Sequence, residues 1–458
     1  MPEFLDLSSP RKIHIVGIGG AGMSAIASVL SAMGHSVTGS DLKPSPGTDR
    51  LRAAGIAVAV GHAAANVGTA EVLTVSTAVQ DGNPEVLEAQ RLGIPVLHRS
   101  SALAAITRRR RTIAVAGTHG KTTTTSMLSL ILVEAGLQPS FLIGGDVNEI
   151  GTNAVWDIGE WLVVEADESD GTFLELSTEI AVVTNVEADH LDHYGTLDKL
   201  VDSFDKFCAA APGGVVAGAD DDGSAALGLH HGAELVGLSD RATTRIVDIQ
   251  TAGAGTSFDM VRDGVRLGRI DLAVPGAHNA RNAAVAVAAA LKIGVPFDAA
   301  ARALARFAGV ARRFEFRGES RGVRFVDDYA HLPTEVAAVL DAARSGGWGR
   351  IVAVFQPHRY SRTSTMGEAF GEAFGEADVV VITDVYGAGE RPLPGISGRI
   401  VAEAVARAHP NVAVAYVPTR DALRQQVAGL LRPGDLCITM GAGDLTSLPD
   451  ELLAEASW

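Results

Sequence analysis

The run from Thr112 to Leu132 restricts the fold most narrowly. An apolar strand, T-I-A-V-A, passes into the turn Gly117-Thr118-His119-Gly120-Lys121-Thr122. A helix follows, with Met127, Leu128, Ile131 and Leu132 on its apolar side. Strand, glycine turn and helix in this order are the context of a phosphate-binding loop. Glycines let backbone N–H groups approach phosphates, Lys121 reaches the β- and γ-phosphates, and Thr122 can ligate magnesium. Val115 stands where the longer form of the motif has its first glycine, so the match is to a shortened G-x-x-G-K-T. A strand feeding such a loop belongs in a parallel sheet covered by helices.

Two further stretches share this rhythm. From Lys12 to about Ser101, the runs K-I-H-I-V-G, S-V-T-G-S-D, A-E-V-L-T-V-S and I-P-V-L-H alternate with helical segments, the first expected from about Met23 to Met33. Beyond Arg313, G-V-R-F-V-D-D, R-I-V-A-V-F-Q-P, D-V-V-V-I-T-D and D-L-C-I-T-M-G each end in polar residues or glycine. Between them, W-L-V-V-E and I-A-V-V-T-N continue the central unit. The stretch from about Gly213 to Pro275 reads as hairpins, and a small-residue helix is expected from about Ala280 to Leu291. A chain of 458 residues divides into roughly three domains at about 150 residues each. The expected divisions are 1–108, 109–312 and 313–458, an α/β architecture with Rossmann-like outer units around a central P-loop unit. The run Arg108–Arg111 at the first boundary reads as a solvated linker.

A formal net charge of -16 opposes binding to nucleic acid or anionic membrane, so phosphate ligands require a local site. Cys208 and Cys437 stand far apart in no metal-binding spacing. The N-terminus lacks the pattern of a signal peptide, and the most apolar later run, Ala283–Leu291, is about half of a membrane span. A cytoplasmic protein without membrane insertion is expected; oligomeric state is not legible.

Chemistry-bearing residues gather where strands end, the edge at which open α/β sheets bind ligands. W-L-V-V runs into Glu165-Ala-Asp-Glu-Ser-Asp, placing a carboxylate for magnesium beside the P-loop. The next strand ends in Asn185-Val-Glu-Ala-Asp-His190-Leu-Asp-His193, where His190 can coordinate a second metal or simply belong to a polar loop. In the first unit, Gly17-Ile-Gly19-Gly20-Ala21-Gly22 follows a strand and precedes a helix, and Asp41 ends the second strand. That is the dinucleotide fingerprint, with Asp41 at ribose distance, and it admits an NAD-dependent oxidoreductase as the competing reading. The same glycines can hold UDP. A P-loop alone would also suit a nucleotide switch without catalysis.

The motifs taken together resemble the Mur ligases over nearly the whole chain. G-I-G-G-A-G-M-S, A-G-T-H-G-K-T-T-T-T, E-A-D-E-S-D-G-T-F, N-V-E-A-D-H-L-D-H-Y, G-A-H-N-A-R-N, R-R-F-E, D-D-Y-A-H and F-Q-P-H-R-Y-S-R-T occur in the family's order. The resemblance implies a UDP-sugar domain, an ATPase domain and an amino-acid domain, working in peptidoglycan precursor synthesis. It implies ATP binding by Gly117, Thr118, His119, Gly120, Lys121, Thr122, Thr123, Asn279, Asn282, Arg313, Asp328 and Tyr329. Magnesium falls to Thr122, Glu165 and His190, and the UDP-sugar to Gly17, Gly19, Gly20, Ala21, Gly22, Asp41 and His98. Lys121, Glu165, His190, Asn279 and Arg313 carry the catalytic roles. Some members hold a second metal through a carbamylated lysine about fifteen residues beyond the histidine; here that position is Phe204.

The implied reaction joins L-alanine to the carboxylate of UDP-N-acetylmuramate through an acyl phosphate formed from ATP. Within the family, a member that reattaches a preformed tripeptide is the nearest alternative. Arg359 and Arg362 follow the strand R-I-V-A-V-F. With His331 they are expected to grip the alanine carboxylate, sharing a face if the chain turns helical after Pro357.

Overall fold

The computed structural model describes residues 5–76, 79–80, 82–147, 151–252 and 255–454. By compactness it forms two units, one of 1–247, 260–268 and 281–304, the other of 248–259, 269–280 and 305–458. Its strands fall into three sheets.

The first sheet has five parallel strands in the order β3-β2-β1-β4-β5. They are β1 (Lys12–Val16), β2 (Ser36–Asp41), β3 (Ala57–Val60), β4 (Val72–Val75) and β5 (Val96–His98). The order reverses at β1, so the loop after β1 opens at the switch point between β1 and β4. That loop is the glycine turn. Its helix, Ala21–Ala32, starts directly from Gly20, two residues earlier than expected. Behind the loop, Glu85 is fully buried. It accepts hydrogen bonds from Ser40 Oγ at 2.6 Å, Asn66 Nδ2 at 2.6 Å and the Ala63 N–H at 3.1 Å, and lies 3.3 Å from His14. This carboxylate ties β1, β2 and the segment after β3 together.

The second sheet has ten strands: β6 (Arg111–Ala116), β7 (Ser140–Val147), β8 (Thr152–Val155), β9 (Trp161–Glu165), β10 (Ile180–Val183), β11 (Val215–Gly218), β12 (Glu234–Gly237), β13 (Thr244–Ala252), β14 (Gly255–Arg262) and β15 (Val265–Leu272). Their order is β15-β14-β13-β12-β11-β10-β6-β9-β7-β8. Strand β6 lies parallel between β10 and β9, which sets the P-loop between the two acidic strand ends. The stretch read as hairpins divides. Strands β11 and β12 are parallel and joined over the helix Asp222–His230, because the V-V-A-G run is buried throughout, as in a strand covered by helices on both faces. Hairpin chemistry is present at Asp263-Gly264, where φ is 49° and 79°, the two-residue turn that joins β14 to β15; the turn before β14, at 253–254, lies outside the described residues. The small-residue helix spans Ala277–Lys292.

Of the expected solvated linker, the solvation holds for Arg108, Arg109 and Arg111, which are exposed, but the run joins a helix directly to a strand. Arg108 caps the helix Arg99–Thr107 and Arg111 opens β6. The guanidinium of Arg110 lies 4.4 Å from the Trp156 ring centre and that of Arg111 lies 4.3 Å from Trp161. Flat, weakly hydrated guanidinium groups stack on indole while still partly in water.

In the other unit, six strands run β16-β17-β21-β18-β19-β20. They are β16 (Glu315–Ser320), β17 (Val323–Asp328), β18 (Arg350–Phe355), β19 (Val379–Ile382), β20 (Ala413–Tyr416) and β21 (Asp435–Met440). All pairs are parallel except β16 with β17. No described helix is long and apolar enough to cross a membrane.

Candidate active site

Gly117 adopts φ +136°, and a Cβ there would stand 2.0 Å from Thr184 Oγ1. At Gly120, φ is +78° and a Cβ would meet Asn282 Oδ1 at 2.4 Å. Both positions therefore admit only glycine. The loop between them is held by β10: the His119 N–H donates to Asn185 Oδ1 at 2.8 Å, and Thr184 Oγ1 donates to the His119 carbonyl at 2.6 Å. The helix Lys121–Glu134 begins at Gly120, so its free N–H groups and positive dipole end face the loop.

Lys121 Nζ donates to the Gly117 carbonyl at 2.6 Å and lies 2.9 Å from the carboxylate of Glu168. Burial opposes the ammonium, but Glu168, Asp167 and Glu165 outweigh it and hold its pKa above the usual lysine range. Thr122 Oγ1 donates to Glu165 Oε1 at 3.0 Å, and the Gly144 N–H donates to Glu165 Oε2 at 2.7 Å. A hydroxyl and a carboxylate at this spacing beside a P-loop are the hard oxygen donors that magnesium takes. His190 faces Glu168 and Asp189. It sits at φ 54°, with Nε2 3.8 Å from Glu168 Oε1 and 3.3 Å from Asp189 Oδ2. Phe204, at the position of the family's lysine, is fully buried with its ring centre 5.3 Å from that of Phe173. It offers no metal donor.

In the first glycine loop, Gly17 has φ +76°. Asp41 Oδ2 accepts from the Gly19 N–H at 2.8 Å, and a Cβ on Gly19 would stand 2.9 Å from that same oxygen. Asp41 thus braces the loop as well as ending β2. His98 is exposed at the end of β5, and its neighbour Arg99 reaches Asp167 at 3.2 Å and Asp170 at 3.3 Å. A cavity of about 190 Å³ opens here, lined by Gly22 and Arg99 on one side and by Gly144, Glu165 and Asp167 on the other. The end of the first glycine loop, through Gly22, and the acidic end of β9, which holds Thr122 of the second loop through Glu165, therefore share one cavity.

In the other unit, Asp328 ends β17 and accepts N–H groups from Phe314 and Ala330, each at 2.7 Å. Burial pushes its pKa up to about 6, although Arg313 and the two N–H groups oppose the rise. The Tyr329 ring lies under Arg312 at 4.8 Å and Arg313 at 5.1 Å. It meets His331 edge-on at 5.3 Å, and His331 meets His358 at 5.8 Å. Arg362 Nη1 donates to His358 Nδ1 at 3.2 Å. Burial, followed by the positive charge of His331, Arg362 and Arg359, pushes His358 down to about 3, so it stands neutral and accepts. The expected adenine and alanine residues thus form one continuous row along the carboxyl ends of β17 and β18.

The helical pairing of Arg359 with Arg362 is corrected. The helix Tyr360–Met366 starts only after Arg359, which sits at φ 69°, ψ 137° with its N–H on the Tyr386 carbonyl at 2.8 Å. Backbone in this region costs on the order of 1–3 kcal/mol and persists only where the surroundings enforce it. Asn279 Nδ2 donates to the Pro275 carbonyl at 2.7 Å, whereas Asn282, one turn on, packs on Gly120. Sequence reasoning passed over Glu168 and His358. Glu168 lies in the same acidic run as Glu165, and its signal is the three-residue step that turns it back beneath Lys121. His358 stands in the motif that carries Arg359 and shows its role only through the contacts of its ring.

Three family models match consecutive parts of the chain: Mur ligase family, catalytic domain, at 12–111; Mur ligase middle domain at 115–290; and Mur ligase, glutamate ligase domain, at 312–443. The chain is 47% identical over 442 residues to the UDP-N-acetylmuramate--L-alanine ligase of Pelobacter propionicus, covering 95% of this chain and 96% of that one. It is 48% identical over 455 residues to the ligase of the same name from Rubrobacter xylanophilus, covering 97% and 99%. Among solved structures it resembles the UDP-N-acetylmuramate-alanine ligase of Thermotoga maritima with a TM-score of 0.82, 29% identity and coverage of 97% and 98%. A murein peptide ligase from Psychrobacter arcticus follows the same course at a TM-score of 0.71, 25% identity and coverage of 97% and 98%.

Proposed function

The chain belongs to the Mur ligase family, and on that premise we propose that it joins L-alanine to the carboxylate of UDP-N-acetylmuramate, converting ATP to ADP and phosphate in peptidoglycan precursor synthesis. The observation that carries this reading is the cavity shared by Gly22 and Arg99 with Glu165 and Asp167. A UDP-sugar on the first glycine loop directs its carboxylate toward the γ-phosphate of an ATP on the second.

A carboxylate is a poor acyl donor. Its oxygen attacks the γ-phosphorus of ATP, the bond to ADP breaks, and the resulting acyl phosphate carries a good leaving group. The alanine amine then attacks the acyl carbon, a tetrahedral intermediate forms, and phosphate leaves as the amide closes. No protein nucleophile is required. Positioning and charge neutralisation are the protein's task. In this reading Gly117–Thr123 hold the phosphates, Lys121 moves from the Glu168 carboxylate to the transferred phosphoryl group, and Asn282 supports the loop. Thr122 and Glu165 would hold magnesium, which neutralises phosphate charge when bound. His190, 3.8 Å from Glu168, is assigned to magnesium with them, and Glu168 joins Lys121 and His190 in that cluster. Asn279, Arg313, Asp328 and Tyr329 are assigned to ATP; His331, Arg359 and Arg362 are assigned to alanine. Gly17–Gly22, Asp41 and His98 take the UDP-sugar. Three separate sheets support a three-domain division at 108 and 312. The unpaired buried thiols Cys208 and Cys437 suit the reducing cytoplasm.

The test is phosphate release from ATP with UDP-N-acetylmuramate and each amino acid in turn, with a preformed tripeptide as a further arm. Release with alanine supports the reading. Release with the tripeptide alone makes the chain a peptide-recycling ligase, and release with neither overturns the assignment.

A further inference from the structure

Away from both phosphate loops, the ligand atoms of Asp205, His230 and His231 all lie within 4.8 Å of one another. Asp205 projects from the helix Leu197–Ala209, and the two histidines close the helix Asp222–His230. His230 Nδ1 is 3.0 Å and His231 Nε2 is 2.8 Å from the same oxygen, Asp205 Oδ1. Adjacent residues reach one point because one uses its near ring nitrogen and the other its far one. Their ring centres lie 4.7 Å apart at a tilt of 35°.

These separations are close to those of a coordination shell. Donors about 2.0–2.2 Å from a tetrahedral ion stand roughly 3.3 Å apart, so an ion requires each histidine to withdraw from the carboxylate by only a few tenths of an ångström. The side chains have room to do so: His230 is 70% exposed and Asp205 38%, while His231, at 16%, is the anchored member. Two imidazole nitrogens and one carboxylate oxygen are a borderline donor set that favours zinc, nickel or copper over the hard ions magnesium and calcium. The exposed side leaves a position open to water.

We propose that Asp205, His230 and His231 form a binding site for a borderline divalent transition-metal ion, typified by Zn²⁺, which fastens the end of the helix Asp222–His230 to the helix Leu197–Ala209. On binding, the ion replaces the imidazole protons now shared with the carboxylate. The site is separate from the one assigned to magnesium. The residue before Asp205 is Phe204, whose buried ring packs on Phe173, a lining residue of the catalytic cavity, so the fastening acts on a helix that backs that cavity.

The experiment uses the full chain, stripped with a chelator and supplied with saturating magnesium to occupy oxygen-donor sites, and titrates zinc by calorimetry. One ion per chain is expected, with a rise in Tm. In His231→Ala the affinity should fall at least about tenfold, since even changes to the shell around metal ligands cost ten- to a hundredfold, and the rise in Tm should vanish. The exposed His230→Ala repeats the measurement at a position where folding is least at risk. His190→Ala should bind zinc as the parent does. Affinity equal to the parent's in both the His230 and His231 variants, zinc binding lost only in His190→Ala, or no binding by the parent chain each overturns the proposal.

Discussion

Lys121 Nζ rests 2.9 Å from the carboxylate of Glu168, a side chain only 1% exposed, on the floor of the phosphate loop. Tyr194 donates its hydroxyl proton to the Glu168 carbonyl, and His190 approaches the Glu168 carboxylate from beyond the end of β10, on the other side of β6. The ammonium is thus kept charged and aimed by protein groups alone. Arriving phosphates compete with one carboxylate rather than with bulk water, so little side-chain ordering remains to be done at the moment of binding.

Replacing Lys121 with alanine should lower turnover at least about a hundredfold, the usual loss when one charge-stabilising group is removed from a transition state. The UDP-sugar should still bind, because it is assigned to the other glycine loop. Steady-state kinetics paired with UDP-sugar titration check both halves. Near-normal activity removes the P-loop assignment.

Glu168→Gln keeps the shape of the buried side chain and removes its charge. We expect kcat to fall at least about tenfold, with the half-saturating magnesium concentration shifted and the fold retained, because a hydrogen-bonding amide still faces Lys121. Kinetics across a magnesium series read this out. An unchanged kcat and magnesium dependence would reduce Glu168 to a structural counter-ion.

The division between what sequence reveals and conceals follows from range. Strand, glycine turn and helix are local, so Gly117–Thr122 and Gly17–Gly22 were legible with their partner elements. The order of three sheets followed from the alternation of strands and helices. Partners brought in by topology were less so. Glu165 and Glu168 share one acidic run, and only the placement of β9 beside β6 gives the first to Thr122 and the second to Lys121. Strands β11 and β12 misled for the opposite reason, since acidic glycine turns resemble hairpin loops until a helix is seen between them. Arg110 and Arg111 read as linker because their tryptophan partners lie roughly fifty residues away in sequence.

Glu85 supplies a pH test. Burial raises a carboxyl pKa, but here hydrogen bonds from His14, Ser40, Asn66 and the Ala63 N–H outweigh it and pull the group from 4.5 down to about 2. A pKa depressed in the folded state contributes stability that is present above about pH 4.5 and is lost as pH falls toward 2. The full contribution is on the order of 3 kcal/mol. Glu85→Gln should therefore be less stable than the parent at pH 7, with the gap narrowing as pH drops below 4.5. Urea denaturation at pH 7 and pH 3.5 measures it. A gap that is constant across this range assigns the effect to packing instead.

Arg359 is the alanine-site residue whose role is most sharply testable. An amino acid must be held by its carboxylate while its amine stays free to attack, and a guanidinium grips a carboxylate with two parallel hydrogen bonds. The backbone at φ 69° departs from ordinary arginine conformations, and the N–H bond to Tyr386 fixes the point from which the side chain leaves. Nearby, neutral His358 takes one hydrogen bond from Arg362, so the carboxylate meets guanidinium groups without a competing imidazolium. Truncating one member of a buried charge pair costs about 2 to 5 kcal/mol, so Arg359→Ala should raise the KM for alanine at least about thirtyfold. Arg359→Gly supplies the control for backbone strain. Glycine relieves the positive φ that alanine retains, so a comparable rise in both variants assigns the loss to the guanidinium. The KM values for ATP and UDP-sugar should stay near those of the parent. An alanine KM that stays put while the ATP KM climbs would move Arg359 to the nucleotide.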